Sequence, residues 1–178
     1  MSFVLYPFLA LSTIGLVLSI GAHVMALTGI PLPSGKLVWG LHAGIFVVWL
    51  PAVLISMQTT RHASRKDFWK VALAGCPIWM RRGFYVLFGY AILNFVVLAA
   101  TTGRQPKQPS DSTRPFVVRI FSGHWMVFYG AAFAILYSRL HAPDLYRERK
   151  CPNGHAVSPT ARFCSECGYD FTNKVERG

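Results

Sequence analysis

Residues 3–30, FVLYPFLALSTIGLVLSIGAHVMALTGI, carry no formal charge and hardly any strongly polar side chain. A bilayer core about 30 Å thick is crossed by about 20 apolar residues wound as a helix. This stretch meets that length. It lacks the basic start of a secretory signal, and its apolar run is too long for one, so it is read as an uncleaved membrane span. Gly15 and Ser19, then Ala22 and Ala26, repeat at helical spacing and would let a second helix approach closely. Pro31 and Pro33 are expected to end it.

Composition extends the reading to the whole chain. Hydrophobic residues make up 53% of it and charged residues 14%, too apolar a balance for an ordinary soluble domain. Three more spans are expected, at about 36–57, 84–100 and 116–140. The second holds Gly40 and Gly44, a GxxxG pair, and Pro51, which removes a backbone donor. Asn94 is the one strongly polar residue inside the third, so it should face another helix. Arg119 lies near the start of the fourth, where it is expected to snorkel outward. The fold class predicted is thus all-α, four transmembrane helices, with residues 1–141 as the membrane domain and 101–115 as a polar extramembrane loop.

Residues 59–83 form a basic connection with Arg61, Arg65, Lys66, Lys70, Arg81 and Arg82 against the single Asp67. Phe68, Trp69, Leu73, Ile78 and Trp79 interleave with these charges, as in a segment lying among lipid headgroups. Ser64 and Asp67 have the spacing of a helix N-cap and its partner three residues on. Cys76 reads as a small apolar residue, with palmitoylation as the alternative.

A charged linker, 142–150, leads into residues 151–171, CPNGHAVSPTARFCSECGYDF, and a tail, 172–178. Cys151 and His155 make one closely spaced donor pair, and Cys164 and Cys167 a second. Two such pairs can converge on one tetrahedral ion, and thiolate and imidazole donors suit zinc. A disulfide or free thiols would be the alternative. Four protein ligands leave no open position, so a zinc ion here would be structural rather than catalytic. The segment resembles the short zinc ribbons found at the ends of many prokaryotic proteins, through Cys151-Pro152, Gly154-His155, Phe163-Cys164 and Cys167-Gly168. It departs from the commonest form at His155, which stands in for a cysteine one position late.

Charge sets the expected orientation. Of the 18 Lys and Arg residues, 13 lie in the 59–83 connection or from Arg139 onward. Positive loops stay inside, which puts both termini in the cytoplasm of a cell (bacterial inner) membrane. The reducing conditions that free metal-binding thiols need agree with this.

Three histidines lie within spans, at His23, His42 and His124. Counting from the outer surface they sit about six, five and eight residues deep, roughly 9 Å for the first. Glycines flank each, at Gly21, Gly40, Gly44 and Gly123. Two such residues could ligate a b-type haem, and three could hold a metal ion. Neutral histidines hydrogen-bonded across the bundle are the plainer alternative. His62 and His141 lie near the inner surface and make no matched pair for a second haem.

No catalytic constellation stands out. The spans hold no Asp or Glu, and no phosphate-binding loop or hydrolase motif occurs. The ribbon has no basic face either, since Glu166, Asp170 and Glu176 offset Arg162, Lys174 and Arg177, which argues against nucleic acid as a partner. The function expected is that of an integral membrane interaction protein, with the ribbon docking a cytoplasmic or membrane protein, or the bundle associating with itself. The 59–83 segment would meet anionic lipid. A haem- or metal-binding redox or sensor protein is the alternative.

Overall fold

A computed structural model describes residues 2–60, 65–102, 115–142, 149–157 and 161–171. After a 3-10 turn at Ser2–Val4 come α1 (Leu5–Leu27), α2 (Gly35–Thr59), a short α3 (Phe68–Ala72), α4 (Ile78–Thr102) and α5 (Pro115–His141). Two-residue strands β1 (Arg149–Lys150) and β2 (Ala156–Val157) follow. α1, α2, α4 and α5 are each long and apolar enough to cross a bilayer, the mark of a multi-pass membrane protein.

Backbone chemistry moves several of the expected boundaries. α1 stops at Leu27, short of the prolines, because Gly29 adopts a left-handed φ of +77°. The amide of Ile30 then reaches back to the carbonyl of Met25 at 2.9 Å, closing the helix end. α2 opens at Ser34, whose side chain accepts from the amide of Lys36 at 3.2 Å. α4 begins six residues earlier than hydropathy predicts, directly after Pro77, and so takes in Arg81 and Arg82. Proline favours a helix start, and long basic side chains at a helix end can reach water without breaking it.

α5 is the central helix. In its most apolar window 61% of residues are buried, against 28% in α1 and α2 and 17% in α4. Small residues make this centrality feasible. Ser12, Gly15, Ser19, Ala22 and Ala26 form one buried stripe of α1, and Gly130, Ala131, Ala132 and Ala134 are buried on α5. The two small-residue pairs anticipated on α1 lie on that stripe. On α2 the GxxxG pair divides: Gly44 meets the hydroxyl of Tyr129, while Gly40 faces open space.

Polar side chains inside the bundle are matched to each other. Asn94 on α4 meets α5, as expected, but its partner is Arg119. The Nε of Arg119 donates to Oδ1 of Asn94 at 2.9 Å, and Nδ2 of Asn94 donates to the carbonyl of Arg119 at 3.3 Å. Arg119 is therefore latched to α4 by its Nε rather than simply extended toward the surface.

The connection before α4 also departs from expectation. Asp67 occupies the N-cap of α3 itself, without a side-chain cap bond, and Ser64 lies outside the described residues. The Asp67–Lys70 ion pair, 3.0 Å long and exposed, adds little stability. Leu73 and Cys76 are buried, and Trp69 packs on Phe84 with ring centroids 5.1 Å apart. Gly75 donates its amide to Oγ of Ser138 at 2.9 Å, and Cys76 donates its thiol to the carbonyl of Ala134 at 3.1 Å. The segment thus packs against the C-terminal end of α5. His62, residues 103–114 of the polar loop, 143–148 of the linker and the tail fall outside the described residues.

Candidate metal centre

The ribbon is built from two turns, each closed by a glycine. In the first, the amide of Gly154 donates to the carbonyl of Cys151 at 2.8 Å, and Gly154 holds φ at +82°. In the second, the amide of Gly168 donates to the carbonyl of Cys164 at 2.8 Å, and φ is +70°. A β-carbon is disfavoured in both conformations, which accounts for glycine at each position. Each turn is stitched at its base, from the amide of Cys151 to the carbonyl of His155 at 3.0 Å and from the amide of Cys164 to the carbonyl of Tyr169 at 2.9 Å. β1 pairs with β2 antiparallel, so Arg149 and Lys150 belong to the ribbon and not to a linker. The amide of Phe171 donates to the carbonyl of Arg162 at 2.9 Å and closes the far end.

This framework brings Cys151, His155, Cys164 and Cys167 together, with one ligand atom from each lying within 4.8 Å of all the others. Sγ of Cys151 is 3.7 Å from Sγ of Cys167 and 3.5 Å from Nδ1 of His155. Nδ1 of His155 is 3.7 Å from Sγ of Cys164. Four donors around a tetrahedral zinc, with sulfur at about 2.3 Å and nitrogen at about 2.0 Å, stand roughly 3.5–3.8 Å apart. The observed spacings match that tetrahedron, and a disulfide would need sulfurs at about 2.0 Å. The late position of His155 is absorbed by its reach. His155 follows the left-handed Gly154, whereas Cys167 precedes the left-handed Gly168, and Nδ1 of His155 still comes to 3.5 Å from Sγ of Cys151 and 3.7 Å from Sγ of Cys164. This Cys3His group can hold a metal ion such as zinc.

No known protein family, curated protein or solved structure matches this chain.

The three intramembrane histidines do not converge. Among the described residues the ribbon supplies the only group of three or more His, Cys, Asp or Glu ligands. His23 is buried between α1, α4 and α5, with Nδ1 2.7 Å from Oγ of Ser122 and Nε2 2.6 Å from the hydroxyl of Tyr90. Both of its nitrogens are engaged. His42 and His124 face each other edge to face, with ring centroids 5.4 Å apart. Nε1 of Trp125 donates to Nδ1 of His42 at 3.1 Å. An indole nitrogen can only donate, so Nδ1 of a neutral His42 is the acceptor and its proton sits on Nε2. A metal-ligating histidine has the reverse need, a free lone pair on one nitrogen and a proton to donate from the other. As placed, His23 and His42 do not fit an axial haem pair or a three-histidine metal site.

Sequence reasoning missed the partners of these histidines. Tyr90, Ser122 and Trp125 carry no motif, and only the rotation of each helix brings them into reach.

Cys76 stands apart from the metal ligands. It is buried at the α3–α4 junction, and burial pushes its thiol up to about 11. A thiol is nucleophilic only as thiolate, so Cys76 should resist maleimide at pH 7–8 in the folded protein. Native-state labelling followed by mass mapping checks this, and prompt modification of Cys76 would overturn it. Its raised value also sets a sign. The protonated form is favoured in the fold, so this contribution is complete below the unfolded thiol range of about 8.5 and declines as pH rises toward 11.

Proposed function

We propose that this is an integral membrane interaction protein whose ribbon, held rigid by a structural zinc ion, docks a protein partner at the cytoplasmic face. The observation that carries the reading is Phe163. It is 57% exposed on a ribbon that tucks Tyr169 and Phe171 against its own small core of Cys151, Val157 and Cys164. Exposed apolar residues on the four long helices are accounted for by lipid, whereas Phe163 lies in the water-facing part. Aromatic side chains on rigid supports are favoured anchors in protein interfaces. The turns on either side of Phe163 are fixed by the metal ligands, so the ring would be presented without much loss of conformational entropy. The excess of basic residues beside the inner helix ends supports the cytoplasmic orientation.

Site-specific photocrosslinking in native membranes tests this. A benzophenone side chain in place of Phe163 is expected to give one discrete adduct, lost when Cys164→Ser removes a ligand. The same probe at Asn153, also exposed, is expected to give a weaker adduct or none. Equal crosslinking from both positions would refute a specific docking surface.

A further inference from the structure

α4 and α5 leave an open groove between them, enclosing about 420 Å³. Apart from Asn94 and His124 its lining is apolar or glycine. Phe88 and Phe95 on its α4 wall are exposed, so the groove opens toward lipid. Asn94 and Phe95 mark one end of that wall and Phe88 the other, about 10 Å apart at helical rise. Gly123 on the α5 wall keeps Asn94 close: a β-carbon there would stand 3.4 Å from its Nδ2.

Asn94, buried at that end, fixes a cation there. Its Oδ1 accepts from Nε of Arg119 at 2.9 Å, and its Nδ2 donates to the carbonyl of Arg119 at 3.3 Å. A guanidinium is always charged and has five N–H donors, of which Nε supplies one. Among the described residues the two terminal nitrogens of Arg119 make no hydrogen bond. Nor does Arg119 meet a carboxylate. The described ones are Asp67 before α3 and Glu166 and Asp170 in the ribbon, and the one ion pair among described residues joins Asp67 to Lys70. α5 has 27 residues, about 40 Å at helical rise, enough to span the hydrocarbon and both headgroup layers. Arg119 lies four residues, or about 6 Å, from its start, and so at headgroup level at the end of α5 that does not lead to the ribbon. A cation there with no carboxylate of its own calls for an anion from outside the chain, and the guanidinium fork matches two phosphate oxygens. A free anion would leave the groove unused, and a neutral lipid would leave the charge unmatched. An anionic phospholipid meets both, with its phosphate at the surface and its chain directed inward, as the groove is.

We propose that Arg119 and the α4–α5 groove form a binding site for one anionic phospholipid, its phosphate accepting from the two terminal nitrogens of Arg119 and one acyl chain lying along Phe95 and Phe88. Asn94 is the positioning residue, since it holds the guanidinium at the mouth of the groove. The site is independent of the ribbon and its partner.

The test is a lipid titration of the full-length protein in detergent, read by native mass spectrometry. The probes are dioleoylphosphatidylglycerol, dioleoylphosphatidylcholine, whose phosphate is neutralised by its own choline, and glycerophosphoglycerol, a headgroup without chains. Phosphatidylglycerol is expected to saturate one tight site per chain, with phosphatidylcholine at least about tenfold weaker, one charge-assisted contact's worth of affinity. Glycerophosphoglycerol is expected not to displace it. Arg119→Gln should weaken phosphatidylglycerol by at least about tenfold, and Arg81→Gln, at the other end of α4, should leave it unchanged. Ala91→Phe, which fills the groove without removing the arginine, should weaken it as well. Equal binding of the two lipids within twofold, or equal losses from Arg119→Gln and Arg81→Gln, would overturn the proposal and leave only unselective contact with lipid. Displacement by the headgroup alone would overturn it in favour of a soluble phosphate ligand. If Arg119→Gln does not fold, Ala91→Phe decides in its place, and unchanged phosphatidylglycerol binding by that variant would overturn the proposal.

Discussion

Stripping the bound metal from the purified protein is expected to unfold residues 149–171 and leave the helical bundle intact. The ribbon has almost nothing else to hold it. Its strands are two residues long, and its buried side chains are Cys151, Val157 and Cys164, two of them ligands. A segment of that size cannot remove enough apolar surface from water to offset the entropy of ordering its chain. Structural zinc supplies roughly 10–16 kcal/mol in peptides of this kind, far above what three small side chains provide. Trypsin reports the outcome directly. Lys150 and Arg162 lie inside the folded ribbon and should be resistant in the metal-loaded protein. They should be cut rapidly after treatment with a strong chelator, and protected again when zinc is restored. Cys164→Ser should behave like the stripped protein, and Cys76→Ser, outside the cluster, like the loaded one. Because thiolates must shed protons to ligate, lowering the pH should release the metal and open the same sites. A ribbon that stays resistant without metal would show that its backbone hydrogen bonds suffice and would remove the case for a structural ion.

Much of this arrangement was legible in advance, and the boundary of legibility has a physical cause. Spans announce themselves because hydrocarbon tolerates few polar groups, so residues 3–30 could be read without knowing any neighbour. The ligands Cys151, His155, Cys164 and Cys167 were legible because short turns make sequence spacing a proxy for distance. The histidines show where that proxy ends. His23, His42 and His124 were grouped by depth as a matter of counting, but depth is one coordinate. The helices are apolar all round, so nothing in their pattern reveals which way each side chain points. His23 turns toward Tyr90 and Ser122, and His42 toward Trp125. The early start of α4 was hidden for a related reason: Arg81 and Arg82 lower the local hydropathy without preventing a helix. The role of Tyr129 was hidden altogether, because its importance lies in which glycines it meets.

Gly15→Ala is expected to destabilise the bundle severely, where Gly21→Ala on the same helix should do nothing or help. A β-carbon at Gly15 would overlap the ring of Tyr129, while one at Gly21 meets open space. Tyr129 has no easy retreat. It is 3% exposed, its hydroxyl lies on Gly44 of α2, and that hydroxyl donates to the carbonyl of Leu41 at 2.8 Å. One ring on the central helix thus occupies notches in two others. Displacing it forces overpacking, which costs about 1–3 kcal/mol, and breaks a buried hydrogen bond worth about 1 kcal/mol. A combined loss of roughly 3 kcal/mol is a more than hundredfold change in the folding equilibrium. Gly21→Ala carries only the propensity gain of alanine over glycine, at most about 1 kcal/mol. Thermal unfolding in detergent, followed by circular dichroism, should separate the two variants clearly. Because the damage runs through one contact, it should not add to damage at that contact: Tyr129→Leu removes the ring, so introducing Gly15→Ala into that background should cost much less than in the wild type. Full additivity of the two changes would mean that Gly15 is not held by Tyr129, and that α1 meets the central helix in some other register.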